Sequence, residues 1–175
     1  MVKRYVPRKN WRNLMNPKTV KPKGRFRVTE NVRILAFDKN GVLKAERNIS
    51  NLITTVGFAG MASRCNGDGA EAVFTYIAVG TGTTAANVAN TTLETELAAD
   101  GLSRAAATAS RTTTDGANDT ATLVKTFTVT GTQAVTESGV LNAAAAGVLL
   151  SRQVFAAVNV VNGDSLQITW DFDFD

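Results

Sequence analysis

The sequence predicts a mainly β protein: an antiparallel β-sandwich, of jelly-roll or immunoglobulin-like kind, with two short helices and an extended basic N-terminal arm. Three observations carry this. From 165 to 174, Leu166, Ile168, Trp170, Phe172 and Phe174 alternate without a fault with Ser165, Gln167, Thr169, Asp171 and Asp173. That is the period of a strand with one buried face. Turn signals such as Asn40-Gly41, Asp115-Gly116 and Asn162-Gly163-Asp164 punctuate the chain, separating about eight strand-like runs. Thr, Ala, Val, Asn and Gly dominate beyond the arm, a composition that favours short strands and turns over helices.

The arm stands apart by charge. The first 27 residues carry ten Lys/Arg and no Asp or Glu, whereas the other 148 carry nine basic and fifteen acidic residues, a net of −6. The overall charge of +4 therefore conceals two unlike parts. We divide the chain into an arm at 1–29 and a body at 30–175, the latter long enough to bury a core of its own. Pro7, Pro17 and Pro22 are the three prolines of the chain, and all lie in the arm. They forbid a continuous helix there and favour extended or turn conformations. Val6, Trp11, Leu14, Met15 and Phe26 are apolar points along it.

Along the body, Val32, Ile34 and Ala36 alternate with Arg33, Leu35 and Phe37 in a first strand. Asn40-Gly41 then predicts a hairpin with a return strand over 42–49. Thr54 or Thr55 is placed to cap a helix over 56–64, with Phe58 and Met61 as its buried side, and Asn66-Gly67-Asp68-Gly69 ends it. A strand is expected over 73–79. Thr91 and Glu94 have the spacing of a capping box, which predicts a second short helix over 92–99. Strands follow over 103–114 and 120–131, turned by Asp115-Gly116 and Asn118-Asp119, with Leu123, Phe127 and Val129 in one parity. Further strands are expected over 135–141, 148–158 and 165–174.

The residues offer little chemistry. The chain has no histidine, which removes the commonest general base and every Ser-His or Cys-His nucleophile. Cys65 is the one cysteine. It excludes an internal disulfide framework and reads as a partly buried structural thiol. Gly80-Thr81-Gly82-Thr83-Thr84 follows a strand as a phosphate loop would, but lacks the lysine of a Walker loop and a third glycine. A tight strand-to-loop turn is the better reading. The carboxylates Glu94 and Glu96, and Asp171, Asp173 and Asp175, suggest paired acids or a calcium site. Solvated charge on a polar strand face explains the latter set, and the glycine and glutamate of an EF-hand loop are missing. No catalytic, cofactor or metal site is expected. The sequence holds no run of 18 apolar residues, and no apolar core follows the basic N-terminus as in a secretory signal.

The arm is thus the candidate functional element. Arg4, Arg8, Lys9, Arg12, Lys21, Lys23, Arg25 and Arg27 supply its charge, and Trp11, Leu14 and Met15 its anchors. A polar tail of this composition has too little apolar surface to order itself. Interleaved cations and aromatics would suit nucleic acid, through phosphate contacts and stacking. Separated apolar anchors suit a strap laid along a neighbouring protein, and we favour the strap.

The stretch from about 50 onward resembles a family of tailed-bacteriophage virion structural proteins. The residues that carry the likeness are Asn51-Leu52-Ile53-Thr54-Thr55-Val56-Gly57, Tyr76-Ile77-Ala78-Val79-Gly80-Thr81-Gly82-Thr83-Thr84, Leu93-Glu94-Thr95-Glu96 and Arg104. Phe127, a turn at Glu137-Ser138-Gly139, Arg152 with Phe155, and Gly163-Asp164-Ser165-Leu166 leading to Trp170 complete it. The family spans capsid decoration or cement proteins and tail or fibre components. The resemblance implies a non-enzymatic, homo-oligomeric structural protein without cofactors, made in the host cytoplasm and built into the virion. Its partners would be the major capsid protein or other virion proteins. Of these roles we expect capsid decoration, with a tail, neck or fibre adaptor as the alternative. A nucleic-acid-binding module acting through the arm is the alternative of another class.

Overall fold

The structure, a computed structural model, describes residues 27–175. Strands β1 (Val28–Phe37) and β2 (Leu43–Ser50) form the expected hairpin. Asp38 builds its turn: one carboxylate oxygen accepts the N–H groups of Asn40 (2.8 Å) and Val42 (2.9 Å). Gly41 takes φ 79°, the left-handed region that glycine enters without penalty. The chain continues through β3 (Leu52–Ile53), helix α1 (Thr55–Asn66), β4 (Tyr76–Gly80), β5 (Ala105–Ala106) and β6 (Thr108–Thr112). It ends with β7 (Thr120–Thr128), β8 (Gln133–Leu141), β9 (Leu149–Val160) and β10 (Ser165–Phe174). β1 thus begins two residues before the division drawn from the sequence.

These strands form two antiparallel five-stranded sheets, in the orders β2-β1-β10-β7-β6 and β3-β9-β8-β4-β5. β10 is the centre of the first, pairing with β1 and β7 so that Trp170 lies opposite both Val32 and Leu123. Its alternation is realised as read. Leu166, Ile168, Trp170 and Phe172 are buried, and join Val79, Val140, Phe155 and Val158 of the other sheet in one core. Trp170 is wholly buried and stacks on Phe172 at 6.0 Å between ring centroids. Its indole N–H donates to Ser138 Oγ (3.2 Å), and the Ser138 hydroxyl donates to the Ala78 carbonyl (2.9 Å). The buried ring therefore leaves no polar atom unpaired.

Four sequence expectations are corrected. The strand expected over 73–79 begins only at Tyr76, and Val73 is exposed. The second helix is absent: 91–100 is irregular apart from a bridge between Gly80 and Glu96. Glu137-Ser138-Gly139 lies inside β8, as the strand expected over 135–141 has it, and does not form the turn named with the resemblance. In α1 the cap is right, since Thr54 Oγ1 accepts the Gly57 N–H at 2.9 Å and Gly67 closes the helix at φ 75°, but of the expected buried side only Met61 packs against the core and Phe58 does not. Gly57 and Gly60 face inward, while Phe58 is 53% exposed and Cys65, expected to be partly buried, is exposed too. A side chain on Gly57 would strike the Leu150 carbonyl, and one on Gly60 the Phe74 ring. Backbone contact thus takes part of the inward face beside Met61, and Phe58 turns outward.

A register shift in β8, between Val135 and Glu137, sets up the other distinctive region. Val135 belongs to the main core, but beyond the shift Val140 does so, which leaves Glu137, Gly139 and Leu141 on the outer face of the sheet. The segment 81–96 covers that face. Leu93 packs there on Ala78, Leu141 and Leu149 as a second, smaller core.

Candidate interaction surface

Of the expected site residues, Arg4, Arg8, Lys9, Trp11, Arg12, Leu14, Met15, Lys21, Lys23 and Arg25 lie outside the described residues. Arg27 lies within them and shows where the arm joins the body. Its N–H donates to the Asp175 carbonyl (2.6 Å) and its carbonyl accepts the Asp175 N–H (3.0 Å). The arm therefore departs from the end of the β1–β10 ladder, at the middle of a sheet rather than at its edge.

That strand end has two unlike sides. On the outer face, Asp171 and Asp173 accept hydrogen bonds from the hydroxyls of Thr122 (2.6 Å) and Thr120 (3.1 Å). With Thr29, Asn31, Thr112 and Thr169 they line a shallow hollow of about 480 Å³. No Lys or Arg among the described residues pairs with either aspartate. Glu30 borders the same hollow, and burial pushes its carboxyl up to about 7. On the inner side, Phe172 and Phe174 run into an apolar hollow of about 200 Å³ between α1 and both sheets, with Met61, Phe74 and Leu123. A second apolar hollow of about 450 Å³ adjoins it over Phe58, Ala62 and Cys65. Acidic and apolar surface thus lie on opposite sides of this strand end, and Arg64 lines both apolar hollows.

Sequence reasoning missed a different cluster. Glu137 is fully buried and Arg152 nearly so, and the guanidinium donates to the carboxylate at 2.8 Å. Glu137 also accepts the N–H groups of Gly82 (3.0 Å), Glu94 (3.1 Å) and Thr95 (2.7 Å). Arg152 reaches the Thr84 carbonyl (3.1 Å) and Asn90 Oδ1 (3.2 Å). Glu94 lies 3.4 Å from Arg152 and takes the Thr84 hydroxyl (2.7 Å) and N–H (2.8 Å). Those Thr84 bonds, hydroxyl first, hold its carboxyl below the usual carboxylate range. Four donors occupy both Glu137 oxygens. The network pins 81–96 onto the sheet. Gly80 and Gly82 serve it by close approach, since a Cβ on either would collide with the Glu137 side chain. The glycine-rich run is thus a strand-to-loop passage built around a carboxylate. The signal for this pair lay in a glutamate and an arginine that are the only charged residues of their two strands.

The other candidates separate. Glu96 is bound by Arg104 at 2.6 Å, apart from Glu94. Among the described residues no three Cys, Asp or Glu side chains group as metal ligands, and no helix is long and apolar enough to cross a membrane. Comparison of the chain with protein-family models, curated proteins and solved structures finds no match.

Proposed function

We propose that the chain is a non-enzymatic structural protein of a tailed-bacteriophage virion. Its role would be that of a capsid decoration or cement protein, whose arm straps neighbouring subunits. The observation that carries the reading is the arm's point of departure. A segment rich in cations and apolar anchors leaves a sandwich at a strand end that is acidic on its outer face and apolar on its inner side. The family resemblance across 50–175 supports the virion assignment, and the fully bonded state of the Glu137–Arg152 pair fits a scaffold. Contacts made only in the assembled particle would add to its stability by linkage.

Counting this chain in purified particles tests the assignment. A decoration protein is present on the order of hundreds of copies, whereas a neck or tail ring holds about six or twelve, by its symmetry. The count should be of the first kind. A ring-like count would move the protein to the neck or tail, and its absence from particles would end the virion reading.

A further inference from the structure

We infer that the free edge of β6 is a site of strand addition, and that its occupant is β6 of a second copy, paired antiparallel about a twofold axis at Ser110. The inference concerns an interface between copies and does not depend on the virion reading.

The four sheet edges of the sandwich are unlike one another. The sheets end at β2 and β6, and at β3 and β5. β3 and β5 hold two residues each, too few to template a partner strand. β2 carries Lys44, Glu46 and Arg47 and has a register shift against β1. Its Arg47 also crosses to the other sheet, where the guanidinium donates to the carbonyls of Ala156 (3.3 Å) and Ala157 (3.2 Å). Charges, bulges and short strands are the devices that keep a sheet edge from pairing. β6 has little of this. It reads Thr-Ala-Ser-Arg-Thr over 108–112, pairs with β7 without a register shift and carries a single charge.

Exposure marks the same strand. All five residues of β6 are exposed, so neither of its faces is covered. Its backbone is paired with β7 on one side, and no described strand lies on the other. A row of N–H and C=O groups is therefore offered to a further strand, which is how extended segments add to a sheet. The free stretch is bounded. At one end Ala107 leaves for the other sheet, its N–H donating to the Thr75 carbonyl (2.8 Å), and at the other the chain turns over 113–119.

The sequence of this stretch fits itself. With the axis at Ser110, Thr108 lies opposite Thr112 of the second copy, Ala109 opposite Arg111, and Ser110 opposite its counterpart. Hydroxyl residues facing each other are favourable cross-strand pairs, and the one charge meets alanine instead of a like charge. Alternate residues of an antiparallel strand turn their backbone groups to the same edge. An axis at a residue matches either alternate set with itself, so the free groups find partners whichever set faces out. This self-complementarity is what an isologous interface requires, and such an interface closes at two copies.

Sedimentation equilibrium of the full-length protein, together with oxidative crosslinking, tests the inference. The protein should dimerise as its concentration rises. Ser110→Lys sets two cations directly opposite each other and should weaken dimerisation by roughly tenfold or more, with an unchanged circular dichroism. Ser110→Cys, made together with Cys65→Ser, should give a covalent dimer on mild oxidation. Opposite residues of an antiparallel pair have Cα atoms about 4.5–5.5 Å apart, within the roughly 4.4–6.8 Å that a disulfide spans. Thr108→Cys in the same background should crosslink far more slowly, because it faces Thr112 of the second copy. A protein that stays monomeric overturns the inference. A dimer that tolerates Ser110→Lys, or that crosslinks no faster at 110 than at 108, is built on another surface or in another register and overturns it as well.

Discussion

The segment 81–96 and helix α1 both lie against the sheet that contains β9, and they close it in opposite ways. The first has little regular structure, yet every strong group in it is answered: Glu137 collects three of its N–H groups, Arg152 takes the Thr84 carbonyl, and Leu93 fills the second core. The second is a well-capped helix that packs by its glycines and leaves an aromatic and a thiol facing out. Regularity and completeness are therefore separate properties. The irregular segment is finished within the chain, whereas the regular helix leaves Phe58 and Cys65 exposed.

The largest effect should come from the finished side. Arg152→Ala leaves Glu137 buried without its cation and should destabilise the body by about 3–5 kcal/mol in a denaturant melt. A buried ion pair can often be replaced by apolar residues at little loss, but not this one. The double variant Arg152→Met, Glu137→Leu should stay strongly destabilised, because three backbone amides lose their acceptor. Recovery of wild-type stability in the double variant would mean that the loop is held by packing alone.

A smaller effect is expected at Glu30, beside the arm junction. Its carboxyl is raised by burial to about 7, so the folded state favours the protonated form. Stability present at acid pH is then lost as pH rises from the unfolded carboxylate value through about 7. Glu30→Gln removes that loss. It should stabilise the protein at pH 8 by on the order of 1 kcal/mol, solvent screening allowed for, and make no difference near pH 4. Equal melts of the two proteins at pH 8 would show that a cation already compensates Glu30.

The smallest effect belongs to the unfinished side. Phe58→Ser should change the stability of the dilute protein by no more than about 0.5 kcal/mol, as at an ordinary surface site. A large loss there would mean that α1 depends on Phe58 for its own packing, and the contrast between the two regions would collapse.

Much of the fold was legible because it is local. Strict alternation over 165–174 identified the buried row at Trp170, and Asn40-Gly41 the first hairpin, since strand period and turn geometry are written in neighbouring residues. The failures share a cause, which is that a distant group decided the outcome. Thr91 and Glu94 have the spacing of a capping box, but the Glu94 and Thr95 N–H groups belong to Glu137, some forty positions away. Phe58 and Met61 have the spacing of a buried face, and Met61 does pack on the core, but the Leu150 backbone approaches so closely that only Gly57 fits against it, and Phe58 is left exposed. The Glu137–Arg152 pair joins two adjacent strands whose register no local pattern reveals. Of the candidate site, Arg27 alone falls within the described residues, at the junction that links arm and body.

We propose that the body folds without the arm and that the arm is its means of attachment. Removing residues 1–26, which keeps Arg27 and its pairing with Asp175, tests both halves at once. The truncated chain should melt as the full-length protein does and give the same circular dichroism, yet fail to enter assembling virions. Incorporation of the truncated protein at the normal level would contradict the account.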